Sequence, residues 1–181
     1  DMVYTARAVT TFDLAPSTVL MPGISGAFGP NGTGGRTRIQ GGDLTLKWKP
    51  LENEGGFPFV SWQTEALWRR YGAGEDFFMF LPSETLKDWG LYTQLLYGFR
   101  QGWVAGLRYD FVTSDQGAND FFDPPARAER TRISPNLTWY PTEFSKLRWQ
   151  YNYDHGQTFG DEHSLWMQAE FALGAHGAHK F

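Results

Sequence analysis

The sequence contains no cysteine, which excludes disulfide scaffolds, Cys-ligated metals and thiol nucleophiles. It also lacks any run near the roughly 18 consecutive apolar residues that a membrane-spanning helix requires. Clustered positive charge is missing as well: 16 Lys and Arg stand against 20 Asp and Glu, for a formal net charge of −4. Nucleic acid is therefore not an expected partner, because neutralising phosphates takes concentrated Lys and Arg. No signal-peptide pattern opens the chain, so it is expected to begin at a processed terminus or part-way through a larger protein.

What is abundant is aromatic surface. The chain carries 8 Trp, 8 Tyr and 15 Phe in 181 residues, while its mean hydropathy is only −0.45. So many rings exceed what a chain this polar needs to fill an ordinary core. A transmembrane β-barrel reconciles the two values, since each strand shows one face to lipid and the other to a wet lumen.

Period-two alternation runs through most of the sequence. From Lys146 to Asp154, Lys146, Arg148, Gln150, Asn152 and Asp154 alternate with Leu147, Trp149, Tyr151 and Tyr153. Such alternation marks a strand with one wet and one apolar face. In the closing segment Leu165, Met167, Ala169, Phe171, Leu173 and Ala175 share a face opposite Trp166, Gln168 and Glu170. Ile133, Leu137 and Trp139 oppose Arg130, Arg132, Ser134, Asn136 and Thr138, and Leu107, Tyr109 and Phe111 oppose Arg108 and Asp110. Val60, Trp62, Ala66 and Trp68 oppose Ser61, Gln63, Glu65 and Arg69, and Leu44, Leu46 and Trp48 oppose Asp43, Thr45 and Lys47. Trp89 to Arg100 is less regular, with Tyr92 and Leu96 on its polar side, and Gly41 with Gly42 suggests a bulge. Met2 to Asp13 and Val19 to Phe28 complete nine candidate strands.

The connections alternate in size. Those around Ala15 and Pro16, Phe99 to Trp103 and Pro141 to Ser145 are tight, and Pro50 to Gly56 is somewhat longer. Between them come Gly29 to Gly35, Gly72 to Leu86, Ser114 to Ala128 and His155 to Glu162, with Pro82 to Asp88 as a short helix-compatible piece. Short periplasmic turns alternating with longer outside loops are the habit of outer-membrane barrels. Aromatic residues gather at the short-turn ends: Trp48, Phe57, Phe99, Trp103, Trp139, Tyr140 and Phe144. Rings with one polar edge favour the headgroup layer, so belts are expected there.

The terminal LWMQAEFALGAHGAHKF ends on Phe181, in phase with Phe171 and Leu173. It resembles the C-terminal signal of Gram-negative outer-membrane barrels, which implies that Phe181 is read by the barrel-assembly machinery; Gly177 and His179 depart from the large apolar groups usual on that face. TRISPNLTWYPTEFSKLRWQYNYD, with GGDLTLKWKPL and FVSWQTEALWRR upstream, is similar to the strands of porin-like and TonB-dependent-receptor-like proteins. The resemblance implies an outer-membrane location and a transport role; some members are zinc-regulated TonB-dependent receptors. With the C-terminus in the periplasm, nine strands put Asp1 outside, whereas bacterial single-chain barrels have even strand numbers. Residues 1–181 are thus expected to form a single segment of an all-β, antiparallel up-and-down transmembrane barrel, the C-terminal portion of a longer chain.

Charge then points to candidate sites. Lys47, Glu65, Arg69, Arg108, Asp110, Arg130, Arg132, Lys146, Arg148 and Glu170 are expected to line a pore, with Arg7, Asp43 and Asp154 on the same wall. Such a wall either biases solute passage or forms internal ion pairs that satisfy buried charge. Arg130, Arg132, Lys146 and Arg148 make its most basic patch and suggest anion preference. Leu147, Trp149, Tyr151, Leu165 and Phe171 are expected to face lipid.

Asp154, His155, Asp161, Glu162 and His163 crowd one outside loop, where His155 and His163 are weak metal candidates; a solvated loop is the plainer reading. His176 and His179 form an HxxH whose rings point to opposite faces of a strand. GAFGPNGTGG, residues 26–35, lacks the ending of a phosphate-cradling loop and reads as a flexible loop. Ser164 beside His163 sends its side chain to the other face, so no catalytic constellation emerges and neither enzyme activity nor a cofactor is expected.

The leading expectation is a porin-like channel for small solutes or ions, whose partners are the bilayer and other subunits. The alternative is the barrel wall of a TonB-dependent transporter, with an upstream plug and a periplasmic energising partner. A soluble β-barrel or sandwich binder is a third reading, in which Trp149, Tyr151, Leu165 and Phe171 would be packed in a protein core.

Overall fold

The computed structural model describes residues 2–114, 128–157 and 160–172. Its elements are β1 (Tyr4–Val9), β2 (Phe12–Ala15), β3 (Thr18–Pro30), β4 (Arg36–Trp48) and β5 (Phe59–Ala73). They continue with β6 (Glu84–Arg100), β7 (Trp103–Ser114), β8 (Arg130–Thr142), β9 (Ser145–Gly156) and β10 (Gly160–Phe171). All ten strands join one antiparallel sheet in which β3 to β10 follow each other in chain order. The described sheet is open, with β1 with β2 along one edge and β10 along the other.

Nine strand-like stretches were expected, and the tenth arises where Met2 to Asp13 divides into β1 and β2. Pro22 of β3 explains the division. Its carbonyl accepts from the Thr10 N–H, so its ring nitrogen, which has no hydrogen to give, faces the same neighbour. Pairing of β1 accordingly ends at Val9 with Gly23, and β2 resumes at Phe12 with Leu20. Pro135 acts similarly inside β8: the ladder to β9 is interrupted between Ile133 and Asn136.

Strand length is the second feature. From β3 to β10 every strand has 12 to 17 residues, against about 5–6 in a typical globular protein. The sequence underestimated several of them. Pro82 to Asp88 is not helical; β6 starts at Glu84 and pairs with β5 as far as Ala73, because the Leu86, Asp88 and Gly90 series continues the alternation of β6. The remaining hairpin carries Phe77, Phe78, Met79 and Phe80 exposed at its tip, beyond an Asp76 to Leu81 bridge. His155 to Glu162 is likewise mostly strand, with β9 reaching Gly156 and β10 beginning at Gly160.

Other local expectations are corrected as well. Gly41 and Gly42 form no bulge, since registers on both sides of β4 run through them unbroken. Irregularities fall instead at Asp13/Ala15, Gly98/Arg100 and Trp139/Thr142, beside the short turns. The glycine-rich connection after β3 is a structured turn. Asn31 accepts from the Thr33 and Gly35 backbone N–H groups and donates to the Gly72 carbonyl at 2.9 Å. A Cβ on Gly35 would sit 1.8 Å from that carbonyl oxygen, so glycine is needed there for backbone approach and not for flexibility. Leu173, Ala175, His176, Gly177, His179 and the assembly signal Phe181 lie outside the described residues, as does most of Ser114 to Ala128.

Candidate functional site

Continuous register sorts the side chains into two faces. Leu20, Leu46, Trp62, Leu95 and Leu107 stand side by side across five strands. Tyr151 pairs with Leu165 farther along that face, and Leu147, Trp149 and Phe171 belong to it by alternation. On the opposite face Asp43, Glu65, Tyr92, Asp110, Arg132, Asp154 and Glu162 form one row from β4 to β10. The alternation legible in the sequence thus becomes two surfaces, each spanning the sheet.

Burial is inverted relative to a water-soluble sheet. Thr138 and Asn152 on the polar face keep only 1% and 3% of their surface, while Leu165 and Phe171 on the apolar face are 85% and 71% exposed. Trp62, Leu95, Leu107, Ile133, Leu137 and Trp149 are exposed too. Among the described residues every substantial strand contact is between sheet neighbours, so no second layer covers the apolar face.

The polar face is laced by ion pairs. Arg7 meets Asp43 at 2.9 Å, Arg69 meets Asp88 at 2.6 Å, Arg108 meets Asp110 at 2.6 Å, Arg132 meets Asp154 at 2.7 Å and Lys146 meets Glu170 at 2.6 Å. Arg108 also lies 4.1 Å from the ring centroid of Tyr92. Asp43 and Glu65 are direct cross-strand neighbours of like charge, an arrangement that costs energy unless one turns away. Asp43 does so by lying over Gly23, where an added Cβ would stand 2.5 Å from its carboxylate oxygen, and so reaches Arg7. Asp88 was missing from the expected set because it fell in the stretch read as helix-compatible. Continuing the parity of β6 by one step would have found it.

Of the basic patch, Arg132 and Lys146 are neutralised by their partners, and Arg130 opens β8 opposite Gly156. Arg148 differs: its Nε donates to the hydroxyl of Thr138 at 3.0 Å, and it has no carboxylate partner among the described residues. Around it on the same face are Gln168 directly opposite, Gln150 two residues along and Trp166 opposite Gln150. Lys47 is exposed on β4 and Glu65 stands opposite Tyr92.

The proposed outside-loop cluster is split by the strand pairing. His155, Asp161 and His163 lie on the apolar face, while Asp154 and Glu162 lie on the polar one. His155 bonds Asp161 at 2.6 Å, Tyr153 donates to Asp161 at 3.1 Å, and Tyr151 bonds His163. No group of three or more metal-ligating side chains suited to an ion occurs among the described residues.

Aromatic residues collect at both ends of the apolar face. At the short-turn end Trp103 stacks on Trp139 with centroids 5.7 Å apart, and Tyr97 lies by Phe99. Phe57 leaves this belt; it packs with Phe59 over Gly98, on the polar side. At the other end Trp68 pairs with Trp89, which contacts Phe111 at 5.1 Å. Trp89 and Tyr97 on β6 are separated by roughly 27 Å of extended strand, with Leu91 and Leu95 between them.

No known family profile and no solved structure matches the chain. It is similar to an uncharacterized protein of Aquifex aeolicus (strain VF5), 27% identical over 202 aligned positions that include 99% of this chain and 40% of that protein. The chain therefore spans about two fifths of the length of that relative.

Proposed function

We propose that this chain forms part of the wall of a bacterial outer-membrane β-barrel that passes small solutes or ions. Its apolar face meets lipid and its charged face meets water. The observation carrying this reading is the inverted burial: rows of Leu, Trp and Tyr exposed across the sheet, opposite a face of buried Ser, Thr, Asn and paired charges. In water such a surface would be a severe association hazard. In a bilayer it is the low-energy arrangement, because lipid replaces the missing protein layer.

Strands of 12 or more residues exceed the roughly 9–11 needed to cross a bilayer. The aromatic groups on β6, projected at a tilt of about 40°, bracket a band of roughly 20 Å, near the usual apolar height. The open edges and the greater length of the Aquifex aeolicus relative support placing this segment in a larger barrel closed by further strands. On this reading the short turns face the periplasm, and the end of β10, which lies beside the short turn between β8 and β9, faces it too.

Site-specific labelling tests the reading, helped by a chain without native cysteine. Single cysteines replacing Gln63 and Gln150 are expected to react with a water-soluble maleimide in the full-length protein reconstituted into vesicles. Cysteines replacing Leu95 and Leu107 are expected to stay unreacted and to be quenched, once fluorescently tagged, by lipids bearing bromine. Equal aqueous reactivity on both faces would overturn the membrane assignment.

A further inference from the structure

Five basic residues of the charged face spend their charge on a carboxylate beside them. Arg148 does not. Among the described residues only its Nε is engaged, by a neutral hydroxyl, which leaves the two terminal nitrogens of the guanidinium for another acceptor. A half-buried arginine with no counter-ion is costly to maintain, because desolvation is not offset by a partner. Its planar fork of donors matches a carboxylate or phosphate head.

The surroundings suit an organic anion in particular. Arg148, Gln150, Trp166 and Gln168 border an open cleft of about 520 Å³ that continues past Met167 and Ala169 around the edge of β10; the part on the charged face is the part that concerns an anion. Gln168 stands directly across from Arg148 and can add an amide donor to an oxyanion. Trp166, diagonal to Arg148 at a distance of roughly 7–8 Å between backbones, presents its indole to the cleft. Its Nε1 donates to Ser164 Oγ at 3.1 Å, which holds the ring in place. Asn152, buried between Ser134, Gln150 and Ser164, braces the row above. A strand added beside β10 would pair with its backbone and leave these polar-face side chains pointing where they do now.

We propose that Arg148, Gln168 and Trp166 form a binding site on the charged face for small organic anions. The oxyanion head is held by the Arg148 guanidinium and the Gln168 amide, and the apolar body lies against the Trp166 indole. This deepens the pore-wall reading, on which the role in solute passage rests; the site itself is a binding claim that can be tested separately.

The test uses benzoate as the carboxylate probe, phenyl phosphate as the phosphate probe and benzyl alcohol as the neutral control. Binding to the detergent-solubilised full-length protein is followed by calorimetry, and ion conductance is measured in planar bilayers. Benzoate is expected to bind and benzyl alcohol to bind at least tenfold more weakly. Arg148→Gln is expected to weaken benzoate about tenfold or more, as loss of a charge-assisted bond does. Arg148→Lys should fall between, since it keeps the charge without the fork, and Trp166→Leu should weaken benzoate about fivefold while hardly affecting inorganic phosphate.

Equal benzoate affinity in wild type and Arg148→Gln, or no benzoate binding by wild type, overturns the site even where conductance is normal. Benzoate binding that depends on Arg148 in a protein without conductance upholds the site and removes the pore. Phenyl phosphate binding more tightly than benzoate assigns the head group to phosphate and leaves the residues unchanged.

Discussion

At the scale of single residues, glycine and proline set the geometry that the charges exploit. Gly23 lets the Asp43 carboxylate lie against β3 and reach Arg7, a pairing two strands away that no residue with a Cβ would allow. Gly23→Val is expected to push the carboxylate off and strand an almost buried charge. The cost should be about 1–3 kcal/mol, read as a fall in the denaturant midpoint of the detergent-folded protein. An unchanged midpoint would mean that the Arg7 to Asp43 pair contributes nothing. Pro22 and Pro135 work in the other direction, each removing one ladder donor and leaving a local gap in pairing. Neither effect is visible from periodicity, because the side-chain alternation passes through a proline without change.

Among the elements, the sheet faces are the unit that matters. One residue of register slip would exchange the Leu107 and Arg108 rows, so the unbroken ladders from β4 to β6, and of β6 with β7 from Asp88 to Gly98, preserve the separation of charge from apolar surface. Leu107→Arg is expected to destabilise folding into phospholipid bilayers by about 2–4 kcal/mol if that row lies near the midplane. Gln63→Arg, on the charged face, should change the same equilibrium by less than about 0.5 kcal/mol. Equal small effects from both would contradict a lipid-facing Leu107. The ion pairs belong to this scale too, since four of the five join neighbouring or next-neighbouring strands while Arg108 and Asp110 share β7. Cross-linking strands through paired charge stiffens a wall and neutralises five of its basic residues; Arg148 has no such partner among the described residues.

At the scale of the whole molecule, what dominates is that no second layer covers the apolar face among the described residues. An all-β sheet exposing Leu, Trp and Phe rows on one face and two unpaired edges has no low-energy state in plain water. The 181-residue segment produced alone and freed of detergent is expected to associate, with light scattering showing large species. A monodisperse monomer in buffer would favour a soluble binding protein and defeat the membrane proposal. Likewise, a full-length protein whose strands number nine and close on themselves would contradict its placement in a larger barrel.

Alternation by itself determined most of the strands, the sorting of residues between two faces and the sites of the short turns, because side chains in an extended chain must point to opposite sides in turn. Lys47, Glu65, Arg108, Arg132 and Arg148 were therefore assignable to one face from their numbers in the sequence. Tertiary structure alone decided which charges meet. Pairing depends on the offset between strands far apart in the chain, and it placed Asp88 beside Arg69, turned the glycine-rich loop into a hydrogen-bonded turn and left Arg148 without a carboxylate partner among the described residues.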